Sequence, residues 1–120
     1  MRSWVRRRLR SFGYAFRGLA VGWAGPNFRI QLVAAATVLF LAGVYSLTRA
    51  EFGLLLVAIT IVLSAELANT AVERVCDLIA ELHGIGVDAR IRDIKDMAAA
   101  AVLVAAIGAS AIGVTVLVRA

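Results

Sequence analysis

The stretch Met97–Val118 reads MAAAAVLVAAIGASAIGVTVLV, 22 residues without a charge. As a helix rising about 1.5 Å per residue, it covers the hydrocarbon core of a bilayer, roughly 30 Å thick. That stretch puts the chain in a membrane, and two more segments follow suit upstream. Residues 28–48 are free of charge from Leu32 to Leu47 and read as a first span. Residues 52–82 open on an apolar run, Phe52 to Leu63, that is too short to cross alone. The helix must therefore continue through Ser64, Glu66, Asn69 and Glu73. Thr48-Arg49-Ala50-Glu51 reads as a short turn, which makes the second span antiparallel to the first. Gly84 and Gly86 break the second helix. Arg90, Arg92, Asp93, Lys95 and Asp96 read as a charged loop leading into the third span.

Residues 3–24 carry a different pattern. Val5, Leu9, Phe12, Phe16, Leu19, Ala20 and Trp23 recur at helical spacing, and Arg2, Arg6, Arg7, Arg10 and Arg17 take the other faces. A basic helix with aromatic residues on its apolar side lies in the plane of a membrane interface. Gly25-Pro26 lets the chain turn into the first span. The expected fold is thus all-α, one domain over residues 1–120: a surface helix and three transmembrane helices.

Hydrophobic residues make up 62% of the chain, above the globular norm of about half. The net charge of +5 comes from 13 basic and 8 acidic residues. The basic residues flank apolar spans, so anionic lipid and membrane orientation account for them and nucleic acid is not an expected partner. Eleven of the 13 lie in the N-terminal segment through Arg29 or from Arg74 to Lys95, so the N-terminus is expected in the cytoplasm and the C-terminus outside. The single Cys76 reads as a packed thiol. Ala101, Ala105, Ala109 and Gly113 recur every four residues, which lets helices approach closely in a bundle or oligomer.

Chemistry concentrates in the second span. Glu66, Asn69, Thr70, Glu73 and Asp77 stand at i, i+3, i+4, i+7 and i+11, all on one helix face. With Phe52 at one interface, Glu66 is roughly 21 Å along the axis, inside the hydrocarbon, and Glu73 reaches the far boundary. A carboxylate at membrane depth costs a few kcal/mol, so Glu66 is a functional candidate. It could instead fasten the bundle by pairing with Arg29. Beyond the boundary, carboxylates that hold Mg²⁺ and bases that hold phosphate make a nucleotide site feasible. The chain has neither G-x-x-x-x-G-K-[ST] nor G-x-G-x-x-G, which excludes the usual soluble nucleotide folds.

Taken together, the segments resemble the prokaryotic diacylglycerol kinase family, which includes undecaprenol kinases. Glu66-Leu-Ala-Asn69-Thr70-Ala71-Val72-Glu73-Arg-Val-Cys-Asp77 is similar to that family's E-x-x-N-[ST]-A-[IV]-E-x-x-x-D signature. Phe12-Gly13-Tyr14-Ala15-Phe16-Arg17-Gly18, Asn27-Phe28-Arg29-Ile30-Gln31 and Lys95-Asp96-Met97-Ala98-Ala99 are similar to its other motifs, in the same order. The resemblance implies a homotrimer in the bacterial cytoplasmic (inner) membrane that moves the γ-phosphoryl group of MgATP to a lipid hydroxyl. It implies that Glu66 is the general base and that Asn69 orients it or the lipid. Glu73 would bind Mg²⁺, and Lys95 would meet the γ-phosphate. Asp77 and Asp96 would complete the nucleotide site, with Arg7, Arg10 and Tyr14 holding nucleotide from the surface helix. Asn27-Phe28-Arg29-Ile30 has the form of the undecaprenol kinase branch.

The chain also departs from the family. Gly25 stands where a second acidic metal ligand is common, Gln31 where His is frequent, and Ala100 where Gly is usual. Glu81 and His83 align only loosely with the family's acid–His pair. Two other readings are therefore compatible with the residues. One is a catalytically impaired member serving as a membrane scaffold; the other is a small ion- or proton-conducting oligomer using Glu66 as its carrier site.

Overall fold

The structure, a computed structural model, describes residues 1–119 as four helices: α1 (Arg2–Trp23), α2 (Pro26–Val44), α3 (Arg49–Leu82) and α4 (Ala89–Arg119). The last three are long and apolar enough to cross a membrane. Their outward surfaces are apolar: Phe40 is 72% exposed, Val104 70% and Val33 68%, which in water would be unfavourable and in lipid is not. The chain is a membrane protein, and its all-α architecture is the one its composition calls for.

The helix ends have local causes. Pro26 sits at the first turn of α2, where its missing N–H is not needed. Thr48 caps α3: its Oγ1 accepts from the Glu51 N–H and donates to Glu51 Oε1 at 3.1 Å. Thr48 is thus a side-chain N-cap, and the Glu51 carboxylate holds its hydroxyl in place. The expected Arg49–Glu51 turn is accordingly the first turn of α3, and α2 stops at Val44 rather than running to residue 48. Past Leu82 the chain closes α3 with Gly84 at φ +60°. There the Gly84 N–H reaches the Glu81 carbonyl and the Ile85 N–H the Ala80 carbonyl, a Schellman stop.

The charged stretch before the third span is helical, not a loop. Asp88 Oδ1 accepts from the Arg90 N–H at 2.8 Å, and the Asp88 carbonyl accepts from the Arg92 N–H. That cap starts α4 at Ala89, eight residues ahead of the apolar run. Arg90, Arg92, Asp93, Lys95 and Asp96 thus lie on its first two turns.

α3 and α4 pack along each other most extensively, and α2 rests on α3. Ala42, Leu55 and Val116 form a buried cluster at one end of the three spans, with Val38, Leu47 and Ile112 against it. Leu55 opens α3 and Val116 closes α4, so these two helices are antiparallel. α1 stands apart: residues 2–21 are all exposed and only Gly22 is buried. Gly22 packs closely on α3: a Cβ there would meet the terminal Cδ2 methyl of Leu67, a flexible group that would have to turn aside. Arg29 secures the same corner. Its Nε donates to the Trp23 carbonyl at 2.7 Å and its guanidinium lies 5.7 Å from the Trp23 ring centroid.

Candidate active site

The polar stripe of α3 is where burial and polarity conflict. Glu66 is 3% exposed and Asn69 6%, the two buried polar residues among those described. Glu66 Oε1 and Asn69 Oδ1 have no hydrogen-bond partner. A buried polar atom without a partner is expensive, and in a native protein it points to a role beyond packing. Thr70 binds back to the Glu66 carbonyl at 3.0 Å, which keeps its hydroxyl on the helix. Asn69 Nδ2 donates to Glu73 Oε1 at 3.2 Å one turn further on. Glu66 has no ion pair among the described residues, and the base that could have paired with it, Arg29, is engaged at Trp23 instead.

Toward Leu82 the stripe becomes accessible. Glu73 is half-buried and Asp77 exposed. Lys95 of α4 reaches across to Asp77, Nζ to Oδ1 at 2.7 Å. The antiparallel packing of α3 and α4 brings the first turns of one against the last turns of the other, so residues 18 apart in sequence meet. Asp96, on the next position of α4, is exposed and makes no hydrogen bond or ion pair among the described residues. The stripe therefore runs from dry carboxyl and amide oxygens to a wet carboxylate–ammonium pair within three helical turns.

Tyr14 lines a groove of about 520 Å³ between α1 and α3, with Arg17, Gly18, Leu67, Thr70 and Arg74. Arg7 and Arg10 are exposed and lie outside that groove. Arg74 was not singled out by spacing, since it falls one residue off the carboxylate stripe. Its signal was available: with Leu67 and Thr70 it makes its own i, i+3, i+7 face. A second groove, about 340 Å³, runs between α2, α3 and α4 and is lined by Gln31, Ala35, Ala58, Ala109 and Gly113. Of the four-residue repeat on α4, Ala109 and Gly113 face this groove.

The donor chemistry suits a small hard cation. The Glu73 carboxylate and the unpaired Asn69 carbonyl oxygen are hard oxygen donors. Among the described residues no three His, Cys, Asp or Glu side chains gather into a cage. Mg²⁺ needs none, because it is commonly held by one or two carboxylates plus substrate phosphates and keeps several waters. Cys76 is buried and free, and takes no part.

Residues 13–117 match the prokaryotic diacylglycerol kinase family. A curated diacylglycerol kinase of Synechocystis sp. is 36% identical over 104 residues, which is 86% of this chain and 58% of that relative. The chain thus spans under two thirds of the relative's length.

Proposed function

The chain belongs to the prokaryotic diacylglycerol kinase family, and from that premise we propose that it transfers the γ-phosphoryl group of ATP to a membrane lipid hydroxyl. The observation that carries this reading is the gradient along α3: Glu66 buried with an unpaired oxygen, and the Asp77–Lys95 pair exposed at the far end. A base at membrane depth meets a hydroxyl that never leaves the lipid. Charged groups at the boundary meet phosphates that never enter it.

In the proposed reaction Glu66 accepts the hydroxyl proton as the lipid oxygen attacks the γ-phosphorus, and ADP leaves. Asn69 holds the Glu73 carboxylate in place. Lys95 neutralises charge on the transferring group, and Asp96 and Tyr14 border the nucleotide. Mg²⁺, held by Glu73, would supply neutralisation of the phosphate oxygens. Phosphoryl transfer depends chiefly on such positioning and charge balance. Arg7 and Arg10 would serve a nucleotide only if it extends along α1, beyond the groove.

The proposed acceptor is undecaprenol in preference to diacylglycerol, on the form of Asn27-Phe28-Arg29-Ile30. The proposed assembly is a homotrimer in a bacterial cytoplasmic membrane, with the N-terminus and the Leu82 end of α3 in the cytoplasm and the C-terminus outside. The basic residues before α2 and on either side of the α3–α4 loop support that orientation.

The test is transfer of labelled γ-phosphate from MgATP by the purified protein in mixed micelles, with diacylglycerol and undecaprenol offered separately and Glu66→Gln as the blank. Label in undecaprenol that exceeds label in diacylglycerol and disappears in the variant is the expected result. Well-folded protein that labels neither lipid across a wide Mg²⁺ range would overturn the kinase reading in favour of a scaffold.

A further inference from the structure

The Asp77–Lys95 pair has a geometry that divides labour between its members. Asp77 stands four residues, about 6 Å along the axis, beyond Glu73 on the same face of α3. Lys95 comes from α4, and one of its three ammonium protons points to Asp77 Oδ1 at 2.7 Å. Two N–H donors remain free. The Lys95 side chain is 36% exposed and the Asp77 side chain 68%. Both are within reach of a soluble ligand, but they differ in what they can offer it. A carboxylate repels a triphosphate, and an ammonium attracts it.

We infer that Asp77 is a positioning residue, which does not itself bind nucleotide but anchors Lys95 over the polar stripe so that its two free N–H groups face the phosphates. This rests on the kinase reading. It gives Asp77 a role different from the nucleotide contact that the family resemblance implies. A lysine side chain has four rotatable bonds and loses considerable freedom when fixed. Anchoring it before the nucleotide arrives removes that cost from the reacting complex. Asp77 also needs Lys95: without the ammonium, an unpaired negative charge stands one turn from where the phosphates bind.

That mutual dependence gives a test by sign. Phosphoryl transfer and ATP affinity, by displacement of a fluorescent ATP analogue, are measured for the full-length protein, Asp77→Asn, Asp77→Glu, Lys95→Gln and the double variant Asp77→Asn/Lys95→Gln. Asp77→Asn should lower kcat roughly tenfold or more while leaving the KM for lipid unchanged, and Asp77→Glu should recover part of the loss. Lys95→Gln should weaken ATP binding, and adding Asp77→Asn to it should tighten binding again, by roughly fivefold for one removed like charge near the surface. If Asp77 contacts nucleotide itself, the double variant binds more weakly than Lys95→Gln alone, and the positioning role is overturned. The binding arm decides the matter even if every Lys95 variant is inactive. A full-length protein that neither binds ATP nor labels lipid defeats the kinase reading, and the positioning role goes with it. Active protein with a weaker double variant defeats only the positioning role.

Discussion

Asn69 and Glu73 are joined across one turn of α3, Nδ2 to Oε1 at 3.2 Å, while the carbonyl oxygen of the same Asn69 is buried without a partner. One side chain thus fixes a carboxylate and at the same time leaves an acceptor unsatisfied in a dry environment. The two halves of the amide have opposite effects on folding and on chemistry.

Asn69→Ala separates those effects. It frees the Glu73 carboxylate to turn, and misplacement of a catalytic group by about 1 Å can cost 10²-fold in rate. It also removes an unsatisfied buried oxygen, which costs about 1–3 kcal/mol to keep. Transfer activity should fall by about two orders of magnitude with thermal stability unchanged or raised. A parallel collapse of stability and activity would show that Asn69 is a packing residue only.

Glu73→Gln bears on the cation. The amide keeps the shape and an oxygen donor but loses the charge that hard cations favour. The Mg²⁺ concentration for half-maximal activity should rise roughly tenfold or more, and high Mg²⁺ should restore part of the rate. A rate that falls with no change in Mg²⁺ dependence would remove Glu73 from the cation site.

Much of this site was legible in the sequence because it lies on one helix. Offsets of 3, 4, 7 and 11 fix a face whatever surrounds it, so Glu66, Asn69, Thr70, Glu73 and Asp77 could be grouped before any fold was known. The start of α4 was not legible in that way. Its first two turns carry five charges around only two isoleucines, Ile91 and Ile94, and the cap that starts them is one side chain, Asp88, accepting from the Arg90 N–H. The close approach of Gly22 to Leu67 is a tertiary contact between residues 45 apart, and nothing in local spacing encodes it.

The Asp88 cap predicts a pH effect. Hydrogen bonds from the Arg90 side chain and backbone hold the Asp88 carboxyl below its ordinary value of 3.8. A depressed folded value means that the cap contributes fully above the ordinary carboxylate range and is lost as pH falls through the depressed value. Amide protection factors at Arg90, Ile91 and Arg92 should stay high at pH 5 and fall only below pH 3.8. Asp88→Ala should show the unprotected behaviour at both pH values, and Asp88→Asn should stay protected, since its side-chain oxygen still accepts. Protection that persists in Asp88→Ala would mean that packing on α3, not the cap, begins the helix.

Gly22 tests whether α1 has a fixed place on the bundle. Its anchors sit at one end: Gly22 against Leu67, and Arg29 bonded to the Trp23 carbonyl. Everything N-terminal to them is exposed, so a displacement at Gly22 is carried along the whole helix to Tyr14 and the groove that faces Thr70 and Arg74. The obstacle to a side chain is a terminal methyl of half-buried Leu67, which can turn aside for a small group. Gly22→Ala should therefore leave α1 docked, and it adds the helix preference of alanine over glycine, about 1 kcal/mol. Gly22→Leu cannot be absorbed this way, and overpacking of that kind costs about 1–3 kcal/mol. Amide exchange over Gly18–Trp23 should be unchanged or slower in Gly22→Ala and roughly tenfold or more faster in Gly22→Leu. ATP-dependent activity should follow the same order if Tyr14 borders the nucleotide. Equal exchange in the two variants would mean that α1 is held by the membrane surface alone, with its contact to α3 incidental.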